Sequence, residues 1–181
     1  MAGTVPCSTG RPCPHEEDDV SDQTPMGHGI KQRSTVQMTP EEIDEFLQGR
    51  RTMSMATVNA DGTIHMIAMW YGFLEGCLAI ESKAKAQKVV NLRRNPTITV
   101  MVEDGETYDQ LRGVQIQGTA EIVEDPDRMW TAGVSVFERY NAPYTEEMKP
   151  FVEVMLHKRV VVKINPVKIA SWDHRKLGLG G

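Results

Sequence analysis

The chain is poor in the residues from which several common functional classes are built. It has 3 cysteines in 181 residues. Cys7 and Cys13 lie in a Pro/Gly-rich stretch and Cys77 opens an apolar, strand-like run, so there is no even-numbered framework and structural disulfides are not expected. No apolar run approaches the roughly 20 residues of a bilayer-spanning helix, and Met1 to Pro14 lacks the apolar core of a secretory signal. The expectation is a soluble, cytoplasmic protein with no membrane partner. Bases are outnumbered, 20 Lys and Arg against 25 Asp and Glu for a net charge of −5, which opposes general attraction to nucleic acid or anionic lipid. The conventional catalytic signatures are missing too: there is no Walker loop, no G-x-G-x-x-G, no C-x-x-C, no H-E-x-x-H and no nucleophile elbow. Nothing in the chain resembles a hydrolase.

Residues 1 to about 36 hold four prolines, four glycines and the acidic run Glu16 to Asp19, with almost no large apolar side chains. So little apolar surface cannot offset chain entropy, and the segment reads as an arm that is disordered or laid across a partner subunit. Its Cys7, Cys13, His15 and His28 match no compact zinc spacing, so no metal is assigned. The folded domain is expected over 37–177. Thr39-Pro40-Glu41-Glu42 carries a helix start with Thr39 as N-cap and Glu42 as the capping-box acid. Two β-rich runs, Thr52 to Asn59 and Thr63 to Phe73, flank the hairpin turn Ala60-Asp61-Gly62. The second is apolar at both parities, so both its faces call for cover by protein, partner or ligand. A strand from Cys77 to Ser82 and a helix from Ala84 to Asn95 follow. Strands are then expected at Thr97 to Glu103 and Arg112 to Val123, helices at Pro126 to Tyr140 and Thr145 to His157, and strands at Arg159 to Asn165 and Val167 to Trp172. Six or seven strands with few, short helices and hairpin-length links point to an antiparallel barrel within the mainly β class.

One segment departs from the acidic average. Ser82 to Val102 contains Lys83, Lys85, Lys88, Arg93 and Arg94 and no acid. It lies where a strand runs into a helix, so backbone N–H groups, the helix dipole, the Ser82 hydroxyl and the lysines can converge on a phosphate. A solvated basic helix is the competing reading, and it suits Arg93 and Arg94 better, since bases at a helix C-terminus complement the dipole. The segment carries no aromatic residue, unlike a nucleic-acid face. His65 and His157 read as structural, and Trp130 as core. An anion site without an evident acid, base or nucleophile fits chemistry carried by a bound cofactor.

Four stretches in order carry a resemblance. They are Ser54-Met55-Ala56-Thr57-Val58-Asn59-Ala60-Asp61-Gly62-Thr63-Ile64-His65, Lys85-Ala86-Gln87-Lys88-Val89-Val90-Asn91-Leu92-Arg93-Arg94-Asn95-Pro96, Val114-Gln115-Ile116-Gln117-Gly118-Thr119-Ala120-Glu121 and Ile169-Ala170-Ser171-Trp172-Asp173. Over about residues 38 to 175 the chain resembles the pyridoxamine 5′-phosphate oxidase-like split β-barrel superfamily, in its flavin- and deazaflavin-dependent oxidoreductase branch. The resemblance implies a homodimeric split barrel with two cofactors in the interface. It places Met66, Ile67, Ala68, Met69 and Trp70 along the ring and Ser82, Lys83, Lys85, Gln87 and Lys88 at the phosphate. Trp172 and the Arg112–Gly113 region would approach a ring held by the other subunit. Gln87-Lys88 replaces the Arg-Lys of pyridoxamine oxidases, and Asp173-His174-Arg175 does not reproduce their substrate-phosphate motif. The implied cofactor is therefore coenzyme F-420, with FMN or FAD as the alternative. The implied activity is hydride transfer between the reduced deazaflavin and an unsaturated small-molecule acceptor such as a tetrapyrrole or conjugated carbonyl. A non-catalytic flavin- or haem-binding protein is the remaining reading.

Overall fold

A computed structural model describes the backbone of residues 29–49 and 51–178. Most of the N-terminal arm, including Cys7, Cys13, His15 and His28, lies outside these residues. Residues 29–36, assigned to the arm from sequence, form helix α1 (Gly29–Val36), which lies against the end of the last strand. Helix α2 (Pro40–Gln48) starts as its sequence dictates. The Thr39 hydroxyl accepts from the Glu42 N–H at 3.2 Å, and the Glu42 carboxylate accepts from the Thr39 N–H at 2.7 Å.

Seven strands follow: β1 (Met53–Val58), β2 (Ile64–Met69), β3 (Gly72–Leu74), β4 (Cys77–Lys83), β5 (Thr97–Asp104), β6 (Arg112–Val123) and β7 (Arg159–Asp173). Helix α3 (Gln87–Arg94) links β4 to β5, while α4 (Pro126–Tyr140) and α5 (Lys149–Leu156) link β6 to β7. The fold is thus β-based with several helices, of which α1 is the one the sequence reading did not expect. All pairings are antiparallel, in the spatial order β2-β1-β5-β6-β7-β4-β3.

That order corrects one expectation. Thr63 to Phe73 is not a single strand but two, and β2 and β3 occupy opposite edges of the sheet. Only Trp70 and Tyr71 join them, and three extended residue steps reach about 11 Å at most. The two edges are held that close, so the sheet curls into a half-barrel. The break is fixed by Tyr71, which is fully buried and donates its hydroxyl to the Leu47 carbonyl at 2.9 Å. Trp70 turns the other way and stacks on Tyr140, with centroids 4.5 Å apart.

A second correction concerns the C-terminal strands, expected as two but continuous through Pro166 in the middle of the sheet. Proline lacks the N–H that a central strand must donate. It is tolerated because the β6–β7 register shifts between Gln117 and Gly118 and Pro166 faces Gly118 there. Gly118 is needed at that bulge, since a Cβ would fall 2.2 Å from the Asn165 carbonyl oxygen. Helix α3 also starts later than expected. Residues 83–86 form a turn in which the Ala86 N–H reaches the Lys83 carbonyl at 2.9 Å, and the Ala86 N-cap has no side-chain cap.

The main core fills the inside of the curl with Met53, Met55, Ile80, Val89, Val100, Val114 and Val162 among others. A smaller cluster, Leu74, Ala79, Val123, Ala132 and Val161, lies under α4 on the outer face. Several apolar side chains remain bare among the described residues, on α5 and β7 as well as on β2, where Ile64 and Met66 are 61% and 67% exposed. The covering anticipated for both faces of that strand is not supplied by the described part of the chain itself.

Candidate functional site

Strand alternation sorts the residues at the end of β4. Leu78 and Ile80 belong to the inner core and Ala79 to the cluster under α4, so Ser82 points inward while Glu81 and Lys83 point outward. Lys83 pairs directly with Arg159, the first residue of β7. Two like charges opposite each other on one face are destabilising without a counter-charge. Next to them is a cavity of about 630 Å³ whose lining includes Lys83, Lys85, Lys158 and Arg159, with Glu124 as its one acid. Glu124 is engaged by Arg93 at its edge, leaving the cavity strongly cationic.

A second cavity, of about 360 Å³, is lined by Ala68, Met69 and Trp70 of β2 and its link, Glu81 of β4, Val136 of α4, Met155 of α5 and Arg159. Arg159 borders both spaces. Glu81 is the exceptional group there. Its side chain is 4% exposed, neither carboxylate oxygen has a hydrogen-bond partner, and the nearest cation, the Arg159 guanidinium, is 3.9 Å away. Burial pushes the Glu81 carboxyl up to about 7, and Arg159 only partly opposes this. Ser82 also has a buried hydroxyl without a partner. Lys88 is nine-tenths buried, and desolvation, reinforced by the positive charge of Arg159, lowers its pKa.

The predicted site residues are therefore divided. Lys83 and Lys85 share the cationic cavity, and Ala68, Met69 and Trp70 share the apolar one. Met66 stands on the exposed face of β2, and Ile67, half-buried, pairs with Met55 of β1. Ser82 and Lys88 sit behind the cationic wall instead of lining it. Gln87 turns to another place: its amide donates to Asn91 at 2.9 Å, and it lines a shallow hollow with Asn59, Ala60, Asp61 and His65. Trp172 is at the far end of β7 from Arg159, opposite Gly113. Its indole fills the space where a Cβ on Gly113 would fall 2.3 Å from Cζ2. Within one chain Trp172 and the lysines do not meet.

Sequence reasoning missed Glu81 and Arg159. The signal for Glu81 was present, since it is the one charge in the otherwise apolar Cys77–Ser82. Arg159 gives no such sign, because an arginine opening a strand is ordinary. Among the described residues no group of three His, Cys, Asp or Glu side chains is placed to hold a metal ion, and no helix is long and apolar enough to cross a membrane. The arrangement suits an elongated ligand with one anionic and one apolar part, which the residues present can bind and orient without a protein nucleophile.

Comparison with known proteins identifies the fold. The model of one protein family, described as pyridoxamine 5′-phosphate oxidase, matches residues 39–173. A crystal structure of the conserved hypothetical protein Rv2991 from Mycobacterium tuberculosis is 51% identical, with a TM-score of 0.80 over 83% of this chain and 94% of that one. An F420 reductase is 27% identical, with a TM-score of 0.57 over 73% of this chain and 98% of that one. The haem storage protein HutZ from Vibrio cholerae, 20% identical with a TM-score of 0.58 over 73% of this chain and 94% of that one, shares the fold. None of the curated proteins compared with the chain matches it.

Proposed function

The chain belongs to the pyridoxamine 5′-phosphate oxidase family, and from that premise we propose that it is an F-420-dependent oxidoreductase acting on an unsaturated small molecule. The observation that carries the reading is the cationic cavity at Lys83, Lys85, Lys158 and Arg159 beside the apolar wall of Ala68, Met69 and Trp70. Such a pairing fits a cofactor with an aromatic ring and a polyanionic tail. When bound, a reduced deazaflavin supplies the hydride. The protein's part is to hold the tail by charge, to set the ring face with side chains that offer no competing nucleophile, and to keep water from it. The likeness to an F420 reductase favours the deazaflavin over FMN or FAD.

The bare face of β2, with Ile64, Met66 and the half-exposed Trp70, supports a homodimer. A second protomer would cover this face and bring its own Trp172 and Arg112–Gly113 segment toward the ring. The protein is expected to bind F-420 more tightly than FMN in fluorescence titration. Lys83→Ala with Lys85→Ala should weaken F-420 binding by about tenfold or more, as loss of two charge-assisted contacts implies. Tighter binding of FMN would transfer the protein to the flavin reading, and binding of neither would remove the cofactor assignment.

A further inference from the structure

Glu81 has no role in holding a tail or a ring, yet it is the most costly side chain in the site. A carboxyl group with both oxygens buried and unpartnered is retained at the expense of stability unless something answers to it. The groups around it are few. Arg159 of β7 is at 3.9 Å. The residues from β2, α4 and α5 that close the space are uncharged, and Lys88 of α3 feels the positive charge of Arg159.

We propose that the Glu81–Arg159 pair is a proton-linked latch on the anion site: an anion in the larger cavity engages Arg159, and Glu81 takes up a proton as it loses that counter-charge. The inference rests on the anion-site reading above and is independent of which ring the ligand carries. Arg159 cannot neutralise two anions at full strength. When Glu81 is ionised, it and the ligand compete for one guanidinium in a poorly hydrated space, where the repulsion is little screened. When Glu81 is protonated, Arg159 is free for the ligand. The buried carboxyl titrates near neutrality, so the competition changes within the ordinary pH range. Binding should be strongest and proton-neutral below that midpoint, and above it should weaken as each binding event draws in a proton.

The test is calorimetric titration of the full chain with inorganic tripolyphosphate, and separately with F-420, in buffers of different ionisation enthalpy. Wild type and Glu81→Gln are compared with the same ligand, so the ligand's own ionisations cancel in the difference. At about pH 8 the wild type should take up close to one proton more than Glu81→Gln, and at about pH 6 no more than it. Between about pH 6.5 and 8.5 the wild-type affinity should fall roughly tenfold further than that of the variant. In the wild type itself, the Glu81 carboxyl resonance followed by carbon NMR should titrate at higher pH with tripolyphosphate present. Equal proton counts in the two proteins, an unmoved carboxyl midpoint, or no tripolyphosphate binding would each overturn the latch. Linked binding of tripolyphosphate without binding of F-420 would leave the latch standing and remove the deazaflavin. F-420 binding without linkage would do the reverse.

Discussion

Two charged regions at opposite ends of β7 are built on opposite rules. At the C-terminal end, Asp104 lies between Arg112 at 2.6 Å and Arg51 at 2.9 Å, and Asp173 accepts from Arg175. Two of these arginines also lie over the Phe46 ring. At the N-terminal end, Lys83 faces Arg159, Glu81 has no hydrogen bond, the Ser82 hydroxyl is orphaned and Lys88 is buried. The first region is a closed account in which every one of these acids meets a donor. The second leaves charge and hydrogen-bonding capacity over, which a folded chain tolerates chiefly where a ligand is to supply the missing partner.

The sharpest way to break this comparison is through pH. Burial raises Glu81 from its ordinary value of 4.5 to about 7, so the folded state holds a proton that the unfolded state has already released. Its effect on stability is absent below the unfolded value and grows unfavourable as pH rises toward and past the folded one. Glu81→Gln should therefore gain on the order of 3 kcal/mol relative to wild type between about pH 4.5 and pH 8, read from urea unfolding at each pH. At the paired end the sign reverses. Hydrogen bonding to Arg175 holds Asp173 below its usual range. For Asp104, burial works against ionisation, but the Arg112 and Arg51 guanidiniums outweigh it. Their stabilisation is present above the unfolded carboxylate value and fades as pH falls below it.

Asp104→Ala is the next largest effect. It strands two guanidiniums that are mostly buried, at 17% and 26% exposure. A loss of about 1–2 kcal/mol is expected, at the lower end because the carboxylate itself is partly screened by solvent. Equilibrium unfolding at neutral pH measures it. The smallest effect sharpens the boundary of the cationic region. Arg93 belongs to the same basic run in sequence but makes an exposed pair with Glu124. Arg93→Gln should leave the melting temperature unaltered and weaken tripolyphosphate binding only slightly, by releasing Glu124 at the cavity edge, in contrast to the large loss in Lys83→Ala with Lys85→Ala.

Much of the fold was legible because local signals and tertiary packing agree. The Thr39–Glu42 box, the Asp61-Gly62 turn and the Asp125-Pro126 start of α4 each appear where their chemistry requires. The charge count also isolated Lys83 and Lys85, which the fold brings together. What escaped were effects of distance. Nothing local in Met69-Trp70-Tyr71-Gly72 distinguishes a continuing strand from a link between two edges, because the break is fixed by Leu47 and Tyr140, far away in sequence. Pro166 read as a strand end because its tolerance depends on a bulge in another strand. Lys88 was grouped with Lys83 by the charge count and Gln87 by the resemblance, yet the helix begins only at Gln87, so the turn before it aims Lys83 and Lys88 apart. Glu81 was visible as a residue but not as a problem, since burial without partners is a property of the finished sheet.

The position of β7 sets the order in which the molecule can be made. It is the last described strand to leave the ribosome, yet it lies between β6 and β4 and pairs with both. Before it emerges, the β1–β2 and β5–β6 hairpins can join through the β1–β5 pairing into one half and β3 with β4 can form a fragment, with the edges of β6 and β4 unpaired. Lys83 and Arg159, 76 positions apart in sequence, end as direct partners, a high contact order that slows folding. Closure of the half-barrel therefore follows the synthesis of every other described strand. A nascent chain stalled short of Arg159 exposes two sticky edges, which makes it a client for chaperones and not yet a protein that can hold a ligand.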